Sequence, residues 1–341
     1  MRFALSEDQQ ALADGVSELL TAEATGERLR KVVVDPGERT GALWGRLRDL
    51  GVFGALVPED RGGLGLGGVE TVLVAEQLGR HTVPGPVAET ALVAGHVLGR
   101  WGGAAAKPWL ARLAEGDAVI GVRTDPGGLV VDADLAHLVL AAGPDGVVGS
   151  AAADLTLTAQ PGVDPTRRHF AVAESASELL AQGEAAAAAL RRAGAVTTAA
   201  QLVGAGAAVL DQAVAYAQER AQFGRVIGSY QAVKHQLATV RIALDFARPL
   251  VLRAGLQLDG DGGPVADRDA VAAKTAAADA ARLAAGTALQ VHGGIGYTDE
   301  LDLQLWLKRI WSLLPEWGTA EAGRREVLRV LLGDRRPVRY P

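Results

Sequence analysis

The stretch Ala193–Leu210 contains no charged side chain and is built chiefly of Ala and Gly, with Thr197, Thr198 and Gln201 among them. It approaches bilayer-spanning length, but it lacks the Leu- and Ile-rich composition that a lipid-facing helix requires. The composition predicts an interior helix whose small side chains allow close packing. It lies within the first of a series of helical segments, at about 184–219, 228–258, 265–288, 299–312 and 320–332. Between the second and third, Asp259-Gly260-Asp261-Gly262-Gly263-Pro264 reads as a helix stop followed by a helix start.

The chain before this bundle has two textures. Residues 1–116 read as helices. Ser6-Glu7-Asp8 caps a run with Leu12, Val16, Leu19 and Leu20 at helical spacing, and a second helix carries Trp44, Leu47 and Leu50 and ends at Gly51. Further helices are expected near Val69–Leu78 and after Pro84-Gly85-Pro86. Residues 117–176 carry short β-leaning runs, Ala118–Val122, Leu129–Val131, Leu135–Ala142 and His169–Val172. Turn signals at Pro126-Gly127-Gly128, Gly143-Pro144-Asp145-Gly146 and Pro161-Gly162 separate them. The expected architecture is mainly α: an N-terminal helical domain (1–116), a small middle β domain (117–176) and a C-terminal helical bundle (177–341).

Composition removes several classes of function. With 34 basic and 40 acidic residues the net charge is −6, which gives no electrostatic footprint for nucleic acid or anionic membrane. The absence of cysteine excludes disulfides, thiolate metal sites and cysteine nucleophiles. The six histidines show no metal-ligand spacing, and no Gly-x-Ser-x-Gly elbow occurs. Met1–Gln10 is polar and acidic, unlike a signal peptide, so a cytoplasmic location is expected. Gly62-Gly63-Leu64-Gly65-Leu66-Gly67-Gly68 follows Pro58-Glu59-Asp60-Arg61 rather than a buried strand, and reads as a structural turn rather than a dinucleotide fingerprint.

Two segments hold groups suited to a diphosphate and a flat ring. Arg220-Ala221-Gln222-Phe223-Gly224-Arg225 through Tyr230-Gln231 combines a permanent cation, carboxamides and an aromatic face between two helices. In Gln290-Val291-His292-Gly293-Gly294-Ile295-Gly296-Tyr297, three glycines allow backbone N–H groups close approach to an anion. Each, taken alone, reads as a helix–helix turn.

Together they resemble the acyl-CoA dehydrogenase family, along nearly the whole chain. The resemblance includes Trp44, Leu47, Leu50-Gly51-Val52-Phe53-Gly54, Val57-Pro58-Glu59, Gly62-Gly63-Leu64-Gly65, Glu76-Gln77-Leu78-Gly79-Arg80 and Gly318-Thr319. It implies FAD-dependent α,β-dehydrogenation of an acyl-CoA thioester, with an electron-transfer flavoprotein reoxidising the flavin. It further implies that Arg220, Gln222, Phe223, Gln231, Gln290, Gly293 and Gly294 contact the adenosine and diphosphate part of an FAD held mainly by the neighbouring subunit.

The remainder of the family pattern has eroded. The family's base is a Glu before the Gly-Thr pair; here that position is Trp317, and Glu316 lies one residue earlier, where a shift of one residue aims a side chain elsewhere. The family's second base location falls near Gly194. The flavin loop is at best echoed by Thr124-Asp125-Pro126-Gly127-Gly128, and the Trp–hydrophobic–Thr strand that lies against the ring has no counterpart. The chain is similar to the short, catalytically incomplete subunit of heteromeric actinobacterial acyl-CoA dehydrogenases that act on steroid side-chain thioesters. That likeness implies a paralogous partner, in an α2β2 assembly, that supplies the base. An apolar face of Val265–Ala288 is expected to meet another subunit. A self-sufficient homo-oligomer using Glu316 and a scaffolding homologue without FAD are the alternatives.

Overall fold

The computed structural model describes residues 4–124 and 128–333. Asp125, Pro126 and Gly127, the centre of the expected flavin-loop echo, lie outside the described residues.

The N-terminal part comprises α1 (Glu7–Glu23), α2 (Gly26–Val34), α3 (Ala42–Asp49), α4 (Gly68–Arg80), a π-helical stretch over Ala88–Ala94 that runs into α5 (Gly95–Trp101), and α6 (Lys107–Ala114). Ser6 caps α1 through a reciprocal capping box with Gln9, and Glu7 and Asp8 occupy its first turn, as the sequence predicts. Val16, Leu20, Leu47, Leu78, Leu92 and Leu98 bury the inner faces, and Trp44 stacks on Phe53 with ring centroids 4.2 Å apart.

Seven strands follow: β1 (Ile120–Val122), β2 (Val130–Val131), β3 (Leu138–Gly143), β4 (Gly146–Ala151), β5 (Leu155–Gln160), β6 (His169–Glu174) and β7 (Glu178–Gln182). They form a four-stranded sheet in the order β1-β3-β4-β7, with β1 parallel to β3, and a three-stranded sheet in the order β2-β6-β5. β7 lies past residue 176, where the sequence pattern turns helical. Only Leu180 and Ala181 of this strand are buried, too short an apolar signal to announce it.

The bundle consists of α7 (Glu184–Glu219), a short hairpin of β8 (Ala221–Gln222) and β9 (Arg225–Val226), α8 (Gln231–Leu258), α9 (Pro264–His292), α10 (Leu303–Leu313) and α11 (Ala320–Leu332). α7 is its axis. By length and composition α7 could cross a membrane, but 94% of its apolar window is buried inside the fold. Small residues explain how it is packed. A Cβ on Gly204 would sit 1.9 Å from the Glu76 carbonyl oxygen, and one on Gly79 would sit 2.1 Å from that of Gln201. α4 and α7 therefore cross at backbone contact.

The alanines of α9, among them Ala273, Ala277, Ala281 and Ala284, are buried within the chain, where α9 packs on α7, α8 and α11. Those alanines are thus spent on packing within the chain, and of the expected Val265–Ala288 face Val265 and Leu283 stay exposed. An apolar face is left open on α8, where Ile242, Phe246 and Leu250 are exposed.

The α4–α7 crossing makes a direct prediction. Gly204→Ala forces a methyl group into the Glu76 backbone and should cost about 1–3 kcal/mol or more in urea denaturation. Gly15→Ala, where a Cβ meets nothing within 4 Å on α1, should instead stabilise by about 0.5–1 kcal/mol.

Candidate functional site

One end of the bundle collects the predicted cofactor residues. Because α7, α8 and α9 run in alternating directions, the C-terminus of α7, the N-terminus of α8 and the C-terminus of α9 meet there. A stack of Tyr216 on His292 (centroids 4.3 Å apart) pins the end of α7 to the end of α9, with His292 Nδ1 2.8 Å from the Ala288 carbonyl oxygen. Arg220 follows α7, Gln222 and Phe223 lie on the hairpin, Gln231 opens α8, and Gln290 precedes Gly293 and Gly294. The segment from Arg220 to Tyr230, expected as a plain helix–helix turn, folds as a β-hairpin whose apex residue Phe223 adopts φ +55° and is 93% exposed.

The chemistry of this end fits a large anionic, aromatic cofactor. Arg220, Gln222, Gln231 and Gln290 are exposed, and among the described residues their side chains have no ion-pair or hydrogen-bond partner in the chain. Gly293 has φ +64°, and a Cβ on Gly293 or Gly294 would meet nothing within 4 Å, which leaves an open backbone cradle. Permanent cation, carboxamides, bare backbone and an aromatic face stand free together. Tyr216 was not legible as part of this end; its only signal is its place one turn before Arg220.

The second site lies at the other candidate position, the turn after α10. Trp317 has φ +54°, and its indole covers Gly194 on α7: a Cβ there would lie 2.1 Å from Trp317 Cε2. The two positions that the resemblance marks for a carboxylate thus lie together, with the indole over Gly194. An indole is a donor only and cannot accept a proton.

Glu316 faces elsewhere. Trp317 borders a cavity of about 640 Å³ with Arg191, Arg192, Ala195 and Ala270, whereas Glu316 borders a separate groove of about 310 Å³ with His169, Trp311 and Ser312. The Glu316 carboxylate is already engaged. Arg167 Nη1 donates to Glu316 Oε1 at 2.6 Å, and Arg167 Nη2 donates to Glu89 Oε1 at 2.8 Å. Burial pushes the Glu89 carboxyl up from its ordinary range, against the pull of the Arg167 charge.

Arg167 and Glu89 escaped the sequence reading, because a buried Arg set by tertiary contacts has no local spacing signature. The run Asp164-Pro165-Thr166-Arg167-Arg168 carries the one hint. Its charged residues all find fixed partners: Asp164 accepts from Arg309 Nε at 2.6 Å, and Arg168 Nη1 donates to Asp134 at 2.6 Å.

Lys274, buried on α9, donates to the Leu314 carbonyl oxygen at 3.0 Å and so holds this same turn. Burial lowers its pKa to about 8, with Glu316 acting in the opposite direction.

The helical N-terminal part, the small β unit and the bundle define an acyl-CoA dehydrogenase fold. Residues 6–117 match the acyl-CoA dehydrogenase N-terminal domain and residues 181–332 the C-terminal domain. The chain belongs to the acyl-CoA dehydrogenase family. It is 33% identical over 309 residues to the acyl-CoA dehydrogenase IpdE2 of Mycobacterium tuberculosis, covering 89% of this chain and 91% of that one. The IpdE2 of Mycolicibacterium smegmatis is 34% identical over 308 residues, with 89% and 93% covered. Among solved structures, the ChsE4–ChsE5 complex from M. tuberculosis superposes with a TM-score of 0.85 at 25% identity, over 98% of this chain and 100% of that one. The Tcur3481–Tcur3483 steroid ACAD superposes with a TM-score of 0.84 at 25% identity, over 95% and 98%.

Lys274 gives this site a pH signature. With a folded pKa of about 8 below the unfolded value of 10.5, the unfolded chain holds more protons between those two values. Stability contributed by this group should therefore rise as pH increases from 8 towards 10.5, by at most about 1.4 kcal/mol per pH unit. Urea melts of Lys274→Met across this range should lack that rise.

Proposed function

We propose that this chain is the base-less subunit of a heteromeric, FAD-dependent acyl-CoA dehydrogenase in the cytoplasm. Its substrate class is an acyl-CoA thioester, with a steroid side-chain thioester favoured by the likeness to the ChsE4–ChsE5 and Tcur3481–Tcur3483 pairs. The observation that carries this reading is the indole of Trp317 lying on Gly194 while Arg167 holds Glu316. Both conventional base positions are closed, yet the exposed half-site at the bundle end is intact.

Bound FAD supplies hydride acceptance from the β-carbon of the acyl group. In this reading the Arg220 guanidinium makes charge-assisted bonds to the diphosphate, each worth about 1.5–3 kcal/mol. Gln222, Gln231 and Gln290 offer carboxamides to the adenosine side, Phe223 presents an aromatic face, and the Gly293-Gly294 backbone admits close approach. A paralogous partner, in an α2β2 arrangement, contributes the carboxylate that removes the α-proton and the pocket around the flavin ring. An electron-transfer flavoprotein takes the electrons onward. The partner's covering surface on this chain is the exposed face of α8, which starts at Gln231 in the half-site itself.

The self-sufficient alternative requires Glu316 to leave Arg167 and turn towards the other cavity, which leaves the buried Arg167 guanidinium with Glu89 as its one carboxylate partner. Breaking a buried pair costs about 3–5 kcal/mol, which disfavours it.

Two substitutions test the proposal in the complex co-expressed with a neighbouring paralogue. Arg220→Ala should lower flavin occupancy about tenfold or more, the equivalent of about 1.4 kcal/mol; unchanged flavin content would make the motif structural. Glu316→Gln should lower thermal stability but leave turnover per bound flavin within about twofold, whereas loss of a general base costs about 10²–10⁴-fold. A collapse of turnover with FAD still bound would establish the self-sufficient enzyme.

A further inference from the structure

The half-site hairpin ought to be poorly ordered. It has two residue pairs, Ala221 with Val226 and Gln222 with Arg225, all of them exposed, and two-stranded ribbons are marginal in water. Its apex carries positive φ at both Phe223 (+55°) and Gly224 (+82°), and no core residue anchors it.

What fixes it is a contact on its flank. The Arg225 guanidinium lies over the Tyr230 ring, 3.9 Å from the centroid, well within the distance at which cation and ring attract. The Tyr230 hydroxyl donates to the Gln222 carbonyl oxygen at 3.3 Å, so one side chain touches both strands. Tyr230 also immediately precedes Gln231, the first residue of α8. The ring therefore ties the strand bearing Gln222 to the helix bearing Gln231. Closing the base of the hairpin, the Ile227 N–H donates to the Arg220 carbonyl oxygen at 2.7 Å. Arg225 has no carboxylate partner among the described residues, and its guanidinium is engaged by the Tyr230 ring.

We propose that Arg225 and Tyr230 are positioning residues that hold the hairpin in its cofactor-ready shape before any ligand or partner arrives. This rests on the half-site reading above. Ordering the hairpin in advance removes an entropic cost from cofactor capture, and the stack does so without occupying Arg220 or the three carboxamides.

The test uses Tyr230→Leu, which removes ring and hydroxyl, and Tyr230→Phe, which keeps the stack. Amide hydrogen exchange on the full chain should show the Ile227 amide exchanging about tenfold faster in Tyr230→Leu and within about twofold of wild type in Tyr230→Phe, with the helices unaffected. In the co-purified complex, flavin release from Tyr230→Leu should be about tenfold faster, and Tyr230→Phe should rescue it. Wild-type exchange in Tyr230→Leu would overturn the proposal, as would faster exchange with unchanged flavin release. Arg220→Ala, run in the same release assay, separates the two readings. Unchanged release in both variants would overturn the half-site and this proposal with it; unchanged release in Tyr230→Leu alone would overturn this proposal only.

Discussion

The guanidinium of Arg167, set between Glu89 and Glu316, is the contact on which the rest of the arrangement depends. Glu89 comes from the π-helical stretch of the N-terminal part, Arg167 from the loop between β5 and β6, and Glu316 from the turn after α10. All three are largely withdrawn from water, where separated charges are costly and a matched pair with good geometry recovers most of that cost. The neighbouring pair of Asp164 and Arg309 repeats the pattern, and Arg309 also donates to the Val83 carbonyl oxygen at 2.8 Å. One short loop thereby joins the three parts of the chain and fixes the turn that carries Trp317.

That fixed turn underlies the proposal that this chain supplies no base. With Glu316 drawn to Arg167 on one side and Lys274 bound to the Leu314 carbonyl on the other, Trp317 takes a left-handed backbone conformation and lays its ring on Gly194. Such a conformation is uncommon for a bulky residue and persists only where surroundings over-determine it. At the far end of the bundle the situation is reversed. Polar side chains stand free, a glycine pair is bare, and the hairpin is braced by a cation stacked on a tyrosine. An indole over Gly194 at one end and free polar groups at the other are what the proposed role, completing a partner's site, rests on.

Much of this was legible in the sequence. The uncharged Ala193–Leu210 run identified the buried axis, and the five bundle helices fall within a few residues of the predicted limits because their apolar periodicity is long and uninterrupted. Ser6, followed by Glu7 and Asp8, marked the first helix start by a purely local rule, and the structure adds Gln9 as its capping-box partner. The strands were harder. β4 carries Gly146, Gly149 and Ser150, and β7 has only two buried residues, so neither shows the alternation that announces a half-buried strand. The hairpin at 221–226 has no core to encode. Arg167 is the deepest omission, since its partners lie 78 and 149 residues away and no window of sequence holds both. For the same reason the alanines of α9 misled: small residues signal close packing without saying whether the neighbour belongs to the same chain.

The measurement that bears most directly on this account is the flavin content of the proposed complex between this chain and a paralogous partner, read from the visible spectrum against protein concentration and paired with anaerobic titration by an acyl-CoA. The account predicts one FAD per pair of unlike chains, with every bound flavin bleached through the partner's base and the bleaching preserved when Glu316 is replaced by Gln. Two flavins per pair, or flavin bound by this chain alone and bleached by substrate, would contradict it.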